Sequence, residues 1–142
     1  MTEPDVELQK LIILAQNAAE HAWCPYSGFR VGAAVQTVNG SSFSGCNVEN
    51  ASSGLTICAE RNAIFQAVAA GHQRIRRIVV FTPTATPTAP CGACRQVLSE
   101  FSDDTQAVCV CNGPGIISTS LEELLPLQFG PEQLARAKTD TD

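Results

Sequence analysis

The chain predicts a three-layer α/β/α sandwich around a mixed five-stranded sheet, on three observations. Segments with helical apolar spacing alternate with short strand-like runs along 142 residues. One of those runs, "RRIVVFT", is almost wholly apolar after its first two residues, as strands covered on both faces are. Asn39-Gly40 between two strand-like runs marks a tight hairpin, so at least one pair is antiparallel. A mixed sheet with helices on both faces accommodates all three.

The elements follow in order. "VELQKLIILAQNAAEHAW" places Leu8, Leu11, Ile12, Ala15, Ala18 and Ala19 on one helical face, and "CPYSG" (24–28) breaks it. "FRVGAAVQTV" and "SSFSGCNVE" form the hairpin, and the polar "ENASSGLTI" leads to a helix over about 58–70 closed by Gly71. The strand "RRIVVFT" is followed by the Thr/Pro-rich stretch 82–90, which reads equally as a stiff surface loop or as a wall of the site it precedes. A helix over about 91–101, strands "AVCVC" (107–111) and "IIST", and a short helix "SLEELL" complete the order. No repeat or linker divides the chain, so residues 1–142 are expected to be one domain, with 130–142 a loosely ordered tail.

Composition narrows the function. A net charge of −5 opposes polynucleotide binding, which needs a basic surface, and "RIRR" (74–77) reads as the entry to a strand. The acidic start "MTEPDVELQK" lacks the basic region of a signal peptide, and no apolar run is long enough to span a bilayer, so a cytoplasmic location is expected. Thiols stay reduced there, and seven irregularly spaced cysteines do not suggest a disulfide framework.

Three of those cysteines open helices or their first turns: Cys58 in "CAERNA", and Cys91 and Cys94 in "PCGAC". A CxxC pair alone fits a redox pair, a structural zinc half-site or a catalytic site. Cys58 favours a metal, because two helix starts side by side on a sheet can converge on one ion, and helix N-termini favour thiolates. Neither histidine offers a fourth ligand: His21 lies inside the first helix pattern and His72 follows a terminating glycine. Cys46, Cys109 and Cys111 lie on strands and read as core residues, while Cys24 has no evident role. Three ligands and an open position describe a catalytic zinc site, with one Zn²⁺ per chain.

Glu60 stands two residues after Cys58 and can carry a proton for a water whose pKa zinc lowers towards about 7, although a solvated first-turn glutamate would look the same in isolation. Arg61 can tune the site, since three thiolates leave surplus negative charge that a guanidinium offsets; an ordinary surface arginine is the plainer reading.

Together these residues resemble the zinc-dependent cytidine deaminases, in particular the small-subunit nucleoside type that assembles as a homotetramer. The pattern is Cys58-Ala59-Glu60 with Pro90-Cys91-Gly92-Ala93-Cys94, carried by "PYSGFRVGAA", "GCNVENAS", "CAERNA", "PCGACRQVLSEF" and "ELLPLQFGP" in that order along nearly the whole chain. The resemblance implies Cys58, Cys91 and Cys94 as zinc ligands and Glu60 as proton shuttle. It implies Asn47 and Glu49 on the ribose 3′-hydroxyl, Phe29 beside the base, Ala59 at the base edge, and Ala51 and Phe129 reaching a neighbouring subunit's site. It also implies deamination of cytidine and 2′-deoxycytidine in pyrimidine salvage, on free nucleosides rather than nucleic acid or membranes. Ser53 departs from the pattern, standing where the family often has tyrosine. Two rival functions stand: a deaminase of another aminopyrimidine such as blasticidin S or of a polynucleotide, and a structural-zinc or thiol redox module.

Overall fold

A computed structural model describes residues 5–140; the outermost residues of the expected 1–142 domain lie outside the described residues. The elements are α1 (Val6–Glu20), β1 (Gly32–Thr37), β2 (Ser42–Cys46), α2 (Ala59–Ala69), β3 (Ile75–Phe81), α3 (Gly92–Phe101), β4 (Ser102–Val110), β5 (Ile117–Ser120), α4 (Leu121–Leu124) and α5 (Pro131–Thr139), with one 3₁₀ turn at Ser53–Leu55. The five strands form one sheet in the order β2-β1-β3-β4-β5. β3 and β4 run parallel and the other neighbours are antiparallel, so the sheet is mixed as expected.

Strand alternation sorts the core into two layers. Ala34, Val79, Phe81, Val108 and Val110 face α1 through Leu11, Ala15 and Ala19. Ala33, Val35, Ile78, Val80, Ala107 and Cys109 face the opposite layer through Ala59, Ala63, Ile64, Leu98 and Leu121 of α2, α3 and α4. Two glycines set how closely the helices approach. A Cβ on Gly32 would lie 1.8 Å from the Ala15 carbonyl oxygen of α1, and one on Gly45 would lie 2.5 Å from the Ala63 nitrogen of α2. Both helices therefore rest directly on strand backbone.

The boundaries differ from the sequence pattern where long-range partners intervene. α1 starts on an Asp5 cap, whose side chain accepts from the Leu8 amide at 3.0 Å, and stops at Glu20 instead of running to Trp23. Trp23 is diverted because its backbone pairs with Asn47 and Glu49. α2 ends as expected: Gly71 has φ of 94°, its amide donates to the Val68 carbonyl, and the His72 amide donates to that of Ala67. β4 begins five residues before the expected strand, because the polar stretch 102–106 pairs with β3 from Ile75 onward. The expected loose tail forms α5, started by Pro131 and by Gln133 Oε1 accepting from the Gly130 amide, although no residue of α5 is buried.

Candidate active site

The parallel pair β3–β4 has its carboxyl ends beside the N-termini of α2 and α3, the crevice where open α/β sheets hold ligands. Cys58 is the N-cap residue of α2 and Cys91 that of α3. Neither sulfur is spent on capping its own helix, so both turn into the gap between the helices. Cys94 joins them from the first turn of α3. The Cys58 and Cys91 sulfurs are 3.7 Å apart, those of Cys91 and Cys94 3.4 Å, and all three lie within 4.8 Å of one another. Sulfurs at about 2.3 Å from a tetrahedral zinc stand roughly 3.8 Å apart, so the donor set and its spacing fit zinc. Among the described residues no other cysteine, histidine or carboxylate joins the group.

The electrostatics follow from the same contacts. Hydrogen bonding from Cys94, reinforced by Arg61, pulls the Cys58 thiol down to about 5. Cys94, as the donor and as a buried group, is pushed up. Arg61 Nη2 donates to the Cys58 sulfur at 3.4 Å, while its Nε is buried without a partner. The guanidinium thus lies against the sulfurs rather than on an outer helix face. Glu60, in the first turn of α2, is only 5% exposed. Burial raises its carboxyl above the ordinary range, and negative charge on Cys58 adds to the rise. A carboxyl that keeps its proton longer, beside a metal-binding cluster, is suited to giving and taking protons.

A cleft of about 320 Å³ opens above this floor, within the range of small-molecule sites. Cys58, Ala59, Glu60 and Cys91 line it together with Phe29, Asn47 and Glu49. The Asn47 side chain spans the segment before β1, donating to the Phe29 carbonyl at 2.8 Å and accepting from the Val31 amide at 2.9 Å. Glu49 Oε1 accepts from the amides of Tyr26 and Ser27 at 3.0 and 3.1 Å, and the Ser27 hydroxyl donates to Oε2. These donors, the hydroxyl foremost, hold its carboxyl below the usual value. Ala51 and Phe129 are both exposed and neither lines the cleft of their own chain. The Phe129 carbonyl accepts from Gln96 Nε2 on α3 at 2.9 Å. Cys109 is a core residue, its thiol pushed up to about 11 by burial.

Two contributors escape motif reading. Ser27 lines the cleft next to Glu49. Arg95 donates through Nε to the Pro90 carbonyl at 2.8 Å and through Nη1 to that of Leu124 at 2.9 Å, fixing the residue before Cys91. The Thr/Pro-rich stretch is a wall of the site: Thr82, Thr88 and Ala89 line the cleft, and Thr82 and Thr84 hydroxyls pair at 2.7 Å. Its position directly after an apolar strand is the signal that places it there.

A family model described as the cytidine and deoxycytidylate deaminase zinc-binding region matches residues 5–111. A cytidine deaminase of Sporosarcina psychrophila is 41% identical over 133 residues, covering 93% of this chain and 98% of the relative. One from Halalkalibacterium halodurans is 44% identical over 130 residues, covering 91% and 98%. The crystal structure of cytidine deaminase from Burkholderia pseudomallei superposes with a TM-score of 0.81 at 45% identity, covering 91% of this chain and all of that one. Fold and three-thiol site thus define a zinc-binding deaminase-type α/β protein. The chain belongs to the zinc-dependent cytidine deaminase family.

Proposed function

We propose that the protein catalyses the hydrolytic deamination of cytidine and 2′-deoxycytidine to the corresponding uridines, releasing ammonia, in pyrimidine salvage in the cytoplasm. The observation that carries this reading is the buried Glu60 beside three converging thiols, in a cleft that Asn47 and Glu49 also line. Cys58, Cys91 and Cys94 would hold the zinc, which when bound supplies Lewis-acid activation of water. Glu60 would take a proton from the attacking water and give it to N3 as the water oxygen bonds to C4. It would then take the proton of the new C4 hydroxyl and give it to the 4-amino group, which leaves as ammonia when the C4–N bond breaks. Ala59, fully buried at the start of α2, bounds the edge of the base, and Phe29 covers its face. Arg61, donating to the Cys58 sulfur, would offset the surplus charge of three thiolates around a bound zinc.

Asn47 and Glu49 select the sugar. An ionised Glu49 only accepts hydrogen bonds, so it favours a ligand hydroxyl over an esterified oxygen with its phosphate. With a net charge of −5, this favours a free nucleoside over a polynucleotide. Ala51 and Phe129 complete the site of a neighbour in a homotetramer. The test is an ultraviolet assay on cytidine, cytidine 3′-monophosphate and an oligonucleotide, with metal analysis of the same sample. Turnover of cytidine by protein carrying one zinc per chain is expected. A metal-free protein of full activity, or equal use of cytidine and its 3′-phosphate, would refute the assignment.

A further inference from the structure

Ser27 lies in the turn 24–28, which joins α1 to the segment before β1 and is closed by the Gly28 amide donating to the Cys24 carbonyl at 2.9 Å. Its hydroxyl is spent in both directions. It donates to Glu49 Oε2 at 2.5 Å and accepts from the Phe29 amide at 3.0 Å. One side chain thereby links the Glu49 carboxylate to the backbone at Phe29, two residues that line the cleft.

The acceptor count gives this coupling its consequence. A carboxylate offers about four acceptor sites, two on each oxygen. On Glu49, Oε1 is filled by the Tyr26 and Ser27 amides, and Oε2 has one site taken by the Ser27 hydroxyl. A single site remains, on the oxygen that Ser27 orients. The carboxylate is therefore aimed before any ligand arrives, so a ligand hydroxyl meets an acceptor whose ordering is already complete.

We propose that Ser27 is a positioning residue for sugar recognition: it fixes the last free acceptor of Glu49, and so governs affinity for the sugar rather than proton transfer at Glu60. The proposal rests on the reading that Glu49 receives the ribose 3′-hydroxyl. Ser27→Ala removes the hydroxyl that holds Glu49 Oε2, whereas Ser27→Thr keeps a hydroxyl.

The experiment measures kcat and KM on cytidine and on 3′-deoxycytidine for the unmodified protein, Ser27→Ala, Ser27→Thr and Glu49→Ala, with zinc content and circular dichroism for each. Ser27→Ala should raise KM for cytidine by about tenfold, the cost of disorienting one charge-assisted hydrogen bond. Its kcat and zinc content should stay unchanged, its effect on 3′-deoxycytidine should be far smaller, and Ser27→Thr should restore the cytidine KM. If Glu49→Ala discriminates between the two substrates but Ser27→Ala impairs both equally, or lowers kcat alone, the role of Ser27 is overturned. If Glu49→Ala itself affects both substrates alike, the Glu49 reading falls and the Ser27 proposal falls with it.

Discussion

At the scale of single residues, Glu60 and the thiols beside it divide two tasks that their side chains could confuse. A carboxylate next to three sulfurs could be a fourth ligand, yet among the described residues only the sulfurs form the metal-binding group. Glu60→Gln, nearly the same in shape, should therefore keep zinc and fold while losing at least about 10²-fold in turnover, the lower end for general acid–base catalysis. Loss of zinc from a folded variant would make it a ligand instead. The pH dependence of stability gives a second check on metal-free protein. Burial raises the native carboxyl above the value of 4.5 that it takes in an unfolded chain. Between the two values the native state holds the extra proton, so this group makes stability fall as pH rises through that window. Chemical denaturation across that range should show the decline in the parent, and Glu60→Gln should lack that contribution.

At the scale of elements, the cleft wall depends on a turn that never touches the cleft. The Thr/Pro stretch leans on the turn after β4: the Asn112 amide donates to the Thr84 carbonyl at 2.9 Å, and the Cys111 thiol lies 3.6 Å from the Ala85 carbonyl oxygen. A Cβ on Gly113 would come within 2.1 Å of that same oxygen. Gly113→Ala must push residues 84–86 towards the cleft or move the turn away, at a cost of about 1–3 kcal/mol for overpacking. The expected result is a lower melting temperature together with a raised KM for cytidine at normal zinc content. A variant that loses stability with KM unchanged would show that the displacement stops short of Thr88 and Ala89. The same elements show what sequence could and could not reveal. The hairpin at Asn39-Gly40, the Gly71 stop and the three thiols at helix starts were legible because each is a local signal of turn, cap or spacing. The buttress under the Thr/Pro stretch, the Ser27–Glu49 link and the Arg95 tie to Leu124 were not, because partners far apart along the chain are set by how the strands are ordered. The early start of β4 was hidden by polar residues at its open end. Helix α5 escaped because it has no buried face to impose a pattern.

At the scale of the whole molecule, the proposed homotetramer implies that one chain carries only part of its own site. Phe129 is 57% exposed, is held by its carbonyl to Gln96 of α3, and does not line its own chain's cleft. Trp23, Leu55, Phe65 and Leu127 are also exposed, and β2 is an edge strand. Exposed apolar side chains on this scale support the homotetramer proposed above, in which each chain lends Phe129 and Ala51 to another. Sedimentation should find a particle of four times the 15.0 kDa chain mass. Mass alone would not establish that sites are shared, but complementation would. A Glu60→Gln chain has an intact Phe129 to lend and no proton carrier of its own. A Phe129→Ala chain has the carrier and nothing to lend. Each homo-oligomer should be impaired, Glu60→Gln in kcat and Phe129→Ala in KM. When the two are unfolded together and refolded as mixed tetramers, some sites receive Glu60 from one chain and Phe129 from the other, and those sites should show the parental KM. Activity of the mixture equal to the average of the two separate variants would mean that every site is built from a single chain, and that Phe129 serves only packing.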